Sequence, residues 1–179
     1  LSASDKNSAS PNVLNSSDIN NGRTERRHSS CSSGNISFTA ISVSALSAGV
    51  ITKNTVVFDP GWWQLPGSEK RFRDWKKWGH GHLNVTKSLE ESADTFFYQV
   101  AYMMRIDRIN SMLSQFGYGK PTGIDLDEEY NGLLPSREWK QKVHKKAWYQ
   151  GDTISVGIGQ GYWIATPIQM VKAMVALIN

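Results

Sequence analysis

Three features of the sequence predict a chain built mainly of helices, with little strand. Apolar residues recur at i, i+3, i+4 and i+7 in two neighbouring stretches, Phe97/Val100/Ala101/Met104 and Ile109/Met112/Leu113/Phe116. That spacing lines one face of an α-helix. Thr166-Pro167-Ile168-Gln169 places an N-cap threonine, a proline at the first helical position and a glutamine at the third, which satisfies the free N–H groups of a helix start. Strand-like runs are few and short, Thr55 to Phe58 and Ile154 to Gly161.

Taken in order, the first 37 residues hold 11 Ser and 6 Asn and almost no large apolar side chains. Such a segment cannot bury enough surface to offset its ordering entropy, so 1–37 is expected to be disordered and the folded part, 38–179, to start at Phe38. Phe38 to Ile51 carries Ile41, Ala45, Leu46 and Ala48 at helical spacing and ends at Gly49. Thr55 to Phe58 reads as a strand closed by Asp59-Pro60-Gly61, and Gly61 to Gly67 as an aromatic loop. Ser88 with Glu91 three residues on forms a capping-box pattern for a short helical turn. Ser92 and Asp94 then fall at the break before the Phe97 helix, where side chains can face a cleft or simply cap the helix. Asp107 to Phe116 continues as a second helix ended by Gly117, and Tyr118 to Gly123 is a turn. Leu134 to Trp139 opens a helical turn, and Lys140 to Lys146 is a basic run expected to face solvent. Behind the Thr166 cap, Ile168, Val171, Val175 and Ile178 are expected to form the buried stripe of the last helix.

Composition narrows the function classes. The single cysteine, Cys31, excludes an internal disulfide framework and a cysteine-based zinc site. A net charge of +4 is too modest to demand nucleic acid as a partner. No basic region followed by an apolar core marks a signal peptide. The longest weakly polar run, Phe38 to Ile51, is too short and too serine-rich to span a bilayer. The chain reads as a piece of a longer protein.

Two stretches invite a chemical reading. Residues 69–82 interleave Lys70, Arg71, Arg73, Lys76 and Lys77 with Phe72, Trp75 and Trp78, the mixture that grips an anionic glycan or nucleic acid. The alternative is an irregular loop whose tryptophans anchor it while its cations face water. His80 and His82 lie two apart, which does not place two ligands on one helix face. The run Gly157-Ile158-Gly159-Gln160-Gly161 has no following Lys-Ser or Lys-Thr, which argues against a phosphate loop and for close packing or a cleft wall.

Together, Val43 to Ile51, Gly61 to Gly67, Ser88 to Tyr98, Tyr149 to Thr153, Gly157 to Gly161 and Thr166 to Met170 resemble the transpeptidase domain of class B penicillin-binding proteins. The resemblance runs from about Phe38 to Asn179. It implies the α+β fold of penicillin-binding proteins and serine β-lactamases, an antiparallel sheet flanked by a helical subdomain, of which this stretch holds mainly the helical part. Without that sheet its helices would expose the face meant to pack on it. The family works through three motifs, Ser-x-x-Lys, Ser-x-Asn or Ser-x-Asp, and Lys-Thr/Ser-Gly. The resemblance implies that Ser92 relays protons and that Asp94 holds the third position of the second motif, near the catalytic lysine whose ammonium form it favours. Gly159, Gln160 and Gly161 would line the cleft or pack beneath it. Neither Ser-x-x-Lys nor Lys-Thr/Ser-Gly occurs in the 179 residues, and an ungapped alignment places the nucleophile at Ser33 and the lysine at Ile36. The chain alone is therefore expected to be inactive, and a non-functional product of a disrupted gene is a competing reading, as is a glycan- or nucleic-acid-binding module.

Some relatives hold a structural zinc with two aspartates, a histidine and a cysteine inside the second motif. The matching residues here are Asp59, Asp74, His80 and Ala93, so no cofactor is required and any zinc site is expected to be vestigial. For the parent protein the resemblance implies an inner-membrane anchor and a periplasmic catalytic domain. Implied partners are stem peptides ending in D-Ala-D-Ala, β-lactams, and elongation-machinery membrane proteins including a glycosyltransferase, with no nucleic acid.

Overall fold

The computed structural model describes residues 30–125 and 128–179. Helix α1 (Ser30–Ser47) is followed by four short strands, β1 (Val57–Asp59), β2 (Trp62–Gln64), β3 (Arg71–Arg73) and β4 (Gly81–Leu83). Five helices complete the fold: α2 (Val85–Glu90), α3 (Asp94–Gln115), α4 (Arg137–His144), α5 (Gln150–Gly157) and α6 (Pro167–Ile178). Helices with two small antiparallel sheets make this an α+β arrangement, as expected.

The chain is built around α3, against which α1 and α5 both pack. Phe96, Phe97, Val100, Ala101, Ile106, Ile109 and Leu113 are fully buried along it. The two apolar stripes read from the sequence are separated by a break at Arg105, whose φ of 61° and ψ of 160° are not helical. An unbroken helix would bring Asp107 and Arg108 round to the face that holds Met104. The break instead returns Ile106 to the core ahead of Ile109 and Leu113. Phe38 of α1 stacks on Phe97 of α3, with ring centroids 4.1 Å apart and an interplanar angle of 8°, an aromatic contact that adds on the order of 1 kcal/mol beyond its area.

The strands are nested, β2 pairing with β3 and β1 with β4. Trp62 lies opposite Arg73 and Gln64 opposite Arg71, so these four share one face of the ribbon, while Trp63 and Phe72 share the other. The inner pair packs toward α3, Trp63 against Tyr102 at 5.6 Å and Phe72 against Tyr98 at 5.4 Å between ring centroids. Within residues 69–82, Arg71–Arg73 and the start of Gly81–Leu83 are paired strands, and the irregular 74–80 segment between them is anchored by Trp75, whose indole reaches the Glu91 carbonyl.

Several local expectations change for identifiable reasons. The helix at the start begins at Ser30, so residues 30–37 belong to α1, while 1–29 of the segment expected to be disordered lie outside the described residues. Gly49 does end it, with φ of 65°. The capping box at Ser88 is not formed. Asn84 caps α2 by accepting the Lys87 N–H at 2.9 Å, and Ser88 is buried inside the helix with its hydroxyl donating to the Asn84 carbonyl at 2.7 Å. The strand expected over Ile154 to Gly161 is helix α5 and the turn after it. Asp152 fixes its start by accepting the Tyr149 N–H at 2.8 Å. Thr153, Ile154, Val156 and Gly157 are all buried, and a short helix enclosed on several sides mimics the alternation of a strand.

The Thr166/Gln169 capping box is formed as read. The apolar stripe behind it does not face the core: Val171, Val175 and Ile178 are 56%, 51% and 79% exposed, and α6 buries Gln169 and Ala173 instead. Gln169 sets this rotation, because its side-chain amide donates to the carbonyls of both Lys120 and Asn131 at 2.8 Å. Lys140, expected on a solvated face, is buried and paired with Asp152.

Candidate active-site turn and its acidic cluster

Ser92-Ala93-Asp94 forms the sharp turn between α2 and α3. Ser92 adopts φ of 52°, a left-handed conformation that costs a non-glycine residue on the order of 1 kcal/mol. Ala93 is fully buried and serves as the N-cap of α3 without a side-chain cap. Asp94 is therefore the first helical residue rather than the cap. One turn on, Phe97 carries the stack with Phe38, which sets the motif beside the middle of α1. Ser33 and Ile36, the positions aligned with the nucleophile and the lysine, lie earlier in the same helix.

The ribbon holds this turn from the other side. Asp74 accepts the Thr95 N–H at 2.9 Å and the Lys76 N–H at 3.1 Å. Tyr98 donates its hydroxyl to the Arg73 carbonyl at 3.0 Å, and the Trp75 indole donates to the Glu91 carbonyl at 3.1 Å. Asp59 accepts the Gly61 N–H at 2.7 Å and the His80 N–H at 3.0 Å, and its second oxygen also lies 2.7 Å from His80 Nδ1. Backbone crosses backbone here: a Cβ at Gly61 would strike the Lys77 carbonyl, and one at Gly79 the Asp59 carbonyl.

Asp59, Asp74 and His80 converge, with donor atoms within 4.8 Å of one another. Asp74 Oδ1 is 3.8 Å from His80 Nδ1, and the other ring nitrogen, Nε2, is buried without a partner, 4.0 Å from Glu91 Oε2. A structural zinc site takes four ligands. By the resemblance the fourth position falls on Ala93, whose methyl offers no donor, so the three convergent side chains gain no fourth ligand from that position.

Asp94 sits at the edge of this cluster. Burial first, and then the negative charges of Asp74 and Asp59, push its carboxyl up to about 7, with His80 pulling the other way. Burial, followed by Asp94 and Asp74, also drives the Tyr98 hydroxyl well above its ordinary range. The expected effect of Asp94 is therefore modified. A carboxyl raised this far can hold a proton near neutral pH, donating as well as accepting a hydrogen bond, and a nearby ammonium would favour its ionised form.

The glycine run packs. A Cβ at Gly157 would collide with Ala101 of α3, and one at Gly159 would lie 2.6 Å from the Ser37 hydroxyl of α1. Gly161 lies against Ser155, and Gln160 is exposed. Gly159 thereby seats the turn after α5 against α1. Sequence reasoning missed Lys140. Its ammonium bonds Asp152 and lies 5.6, 4.8 and 5.3 Å from the ring centroids of Trp148, Tyr149 and Tyr162.

With this geometry in view, residues 38–179 match the family described as the penicillin binding protein transpeptidase domain. The chain is 77% identical over 139 residues to peptidoglycan D,D-transpeptidase MrdA of Salmonella typhimurium, covering 78% of this chain and 22% of that protein. It thus spans about a fifth of the length of that relative. Among solved structures, Pseudomonas aeruginosa PBP2 in complex with WCK 5153 superposes with a TM-score of 0.78 at 41% identity, over 82% of this chain and 33% of that one. Helicobacter pylori PBP2 in complex with MreC gives a TM-score of 0.72 at 36% identity, over 76% of this chain and 26% of that one.

Proposed function

The chain belongs to the penicillin-binding protein transpeptidase domain family, and from that premise we propose that it is the stretch of a peptidoglycan D,D-transpeptidase that carries the second active-site motif. The observation that carries this reading is the Ser92-Ala93-Asp94 turn, locked between α1 and the ribbon within an uninterrupted family match. The chemistry is acyl transfer. A serine hydroxyl is a weak nucleophile until a neighbouring base takes its proton, and the second-motif serine relays protons between that base and the leaving amine. Ser92 is assigned the relay. Asp94 is assigned the contact that orients substrate and lysine, holding a proton it can exchange near neutrality.

The substrate of the parent enzyme is a stem peptide ending in D-Ala-D-Ala, and β-lactams imitate it. Its place is the inner membrane with the catalytic domain in the periplasm. None of the helices searched among the described residues is long and apolar enough to cross a membrane. Elongation-machinery partners, a glycosyltransferase among them, follow from the same assignment, supported by the neighbour solved with MreC. No metal is required, because Ala93 leaves the Asp59/Asp74/His80 set one donor short.

By itself the chain is expected to form no acyl-enzyme, since Ser-x-x-Lys and Lys-Thr/Ser-Gly are missing from its sequence. Fluorescent penicillin should leave it unmarked, and covalent labelling at Ser33 would contradict this. The positive test is a chimaera in which residues 38–179 replace the matching stretch of the Salmonella relative. It should be labelled by fluorescent penicillin, and Ser92→Ala in the chimaera should slow transfer by roughly 10²–10⁴-fold, the range for a positioned proton-transfer group. A folded chimaera that takes no label defeats the assignment.

A further inference from the structure

We propose that the outer face of the β2–β3 ribbon is a docking groove for a carboxylate-bearing glycan strand, a binding site distinct from the acyl-transfer turn. The inference rests on the transpeptidase reading for the identity of the glycan, and on the ribbon itself for the existence of the groove.

The two-residue period of the ribbon separates its faces. Trp63 and Phe72 point inward to Tyr102 and Tyr98, while Trp62, Arg71 and Arg73 point outward. Those three, with Trp75 and Lys77, line one concavity. Its acid, Asp74, is buried, with its carboxylate oxygens turned to the backbone of Thr95 and Lys76. Among the described residues, no carboxylate lies within 4.0 Å of Arg71, Arg73 or Lys77. The groove therefore offers three uncompensated cations.

The aromatic surface in and beside it is unusually open. Trp62, Trp75 and Trp78 are 37%, 63% and 82% exposed. The Arg71 guanidinium lies 4.3 Å from the Trp62 ring centroid, which leaves its planar fork preorganised for a carboxylate. Trp75 is pinned at one edge by its bond to the Glu91 carbonyl and by its edge contact with His80, centroids 5.3 Å apart, and its exposed surface is held in a fixed orientation. Rings of this kind stack on the C–H faces of sugars, and guanidinium or ammonium groups pair with carboxylates on the same strand. A concave groove suits a linear polymer better than a lipid surface, against which a protruding face would be needed. Its position completes the argument. Asp74 and Trp75 bond directly to the backbone of Thr95 and Glu91, on either side of the Ser92-Ala93-Asp94 turn, so a strand lying in the groove is held close to that turn.

The test uses the full 179-residue chain and peptide-free glycan strands from amidase-digested sacculi, whose lactyl ethers end in carboxylates. Binding is followed by quenching of tryptophan fluorescence and by cosedimentation. The wild-type chain should bind, with affinity falling steeply as salt rises. Arg71→Glu/Lys77→Glu should weaken binding at least tenfold with an unchanged circular dichroism spectrum. Lys142→Ala/Lys145→Ala/Lys146→Ala, on an exposed basic run elsewhere, should bind as wild type. Equal binding by the groove variant, or no binding by the wild type, overturns the proposal. So does equal or tighter binding of single-stranded DNA or of vesicles containing phosphatidylglycerol, which would make the groove a general polyanion or membrane surface. Penicillin plays no part in this readout. Loss of the groove leaves labelling of the chimaera intact, and an unlabelled chimaera leaves strand binding to be measured separately.

Discussion

At the junction of α4 and α5 one lysine ammonium is buried against Asp152 among three aromatic rings. At the junction of the ribbon with α3, three carboxyls, Asp59, Asp74 and Asp94, gather around the single imidazole of His80. The first joint is balanced. Lys140 finds one opposite charge and three ring faces, and Asp152 also caps α5. The second carries more acid than it can neutralise, and burial first, then the charges of Asp74 and Asp59, pushes the Asp94 carboxyl up to about 7. A balanced joint fixes geometry. An unbalanced one keeps a group ready to exchange a proton near neutral pH, which is what acid–base chemistry requires. Burial and charge count together set the difference: both push the Asp94 carboxyl up, whereas the buried Lys140 is matched by Asp152.

Adding a cation to the unbalanced joint is the largest perturbation that would erase this difference. Ala93→Cys supplies the missing fourth donor. With zinc at a thousandfold excess over its dissociation constant, this variant should gain about 4 kcal/mol relative to the chelated form, measured as the shift of its urea unfolding midpoint. The wild-type chain should show no such shift and carry no stoichiometric zinc by elemental analysis. Zinc in the wild type would mean that another residue completes the set, and Glu91, 4.0 Å from His80 Nε2, is the one in reach.

The balanced joint should break next most strongly. Lys140→Met leaves Asp152 partly buried without its cation and should cost about 3 kcal/mol, the range for removing one partner of a buried pair. Lys140→Met/Asp152→Asn should recover much of that loss in the same unfolding assay. A single variant as stable as the wild type would show that the aromatic rings, rather than the ion pair, hold the two helices together.

Neither joint was visible in the sequence as a joint. Lys140 stands in a run of basic residues, and the groups that bury it, Trp148, Tyr149, Asp152 and Tyr162, are brought to it by the turn between α4 and α5 and by the segment after α5. Asp59, Asp74 and His80 became a set only through family resemblance, because their spacing reflects the nested strand pairing of the ribbon. What could be read directly was local. The Thr166-Pro167-Ile168-Gln169 start of α6 needs only neighbouring atoms, and the two stripes of α3 need only helical period. Failures came where tertiary contacts outvoted local pattern. Asn84 took the cap that Ser88 seemed to offer, burial on several sides made α5 resemble a strand, and Gln169 rotated α6 away from its apolar stripe.

Asp94→Asn sharpens the comparison through pH. Below its ordinary value near 3.8 the carboxyl is protonated in folded and unfolded chains alike. As pH rises from 4 to 7 the unfolded chain releases the proton first, so the wild type loses stability across that window, and above about 7 the loss is complete. Asparagine does not titrate. The variant should match the wild type near pH 4 and exceed it at pH 8, with a ceiling of about 4 kcal/mol that partial exposure reduces to on the order of 1–2 kcal/mol. A flat difference between pH 4 and 8 would show that the cluster does not act on Asp94.

The smallest effect separates burial from geometry. Arg137 Nε lies 2.9 and 3.0 Å from the two carboxylate oxygens of Asp107, distances as good as those in either joint, but the side chains are 47% and 64% exposed. Water and salt screen such a pair, and holding two long side chains together costs entropy. Arg137→Ala should change stability by no more than about 0.5 kcal/mol, and by less still in 1 M salt. If its cost approached that of Lys140→Met, contact distance would govern these pairs. A small value instead leaves burial as the variable that gives the two joints their weight, with charge balance deciding whether that weight fixes the fold or tunes a proton.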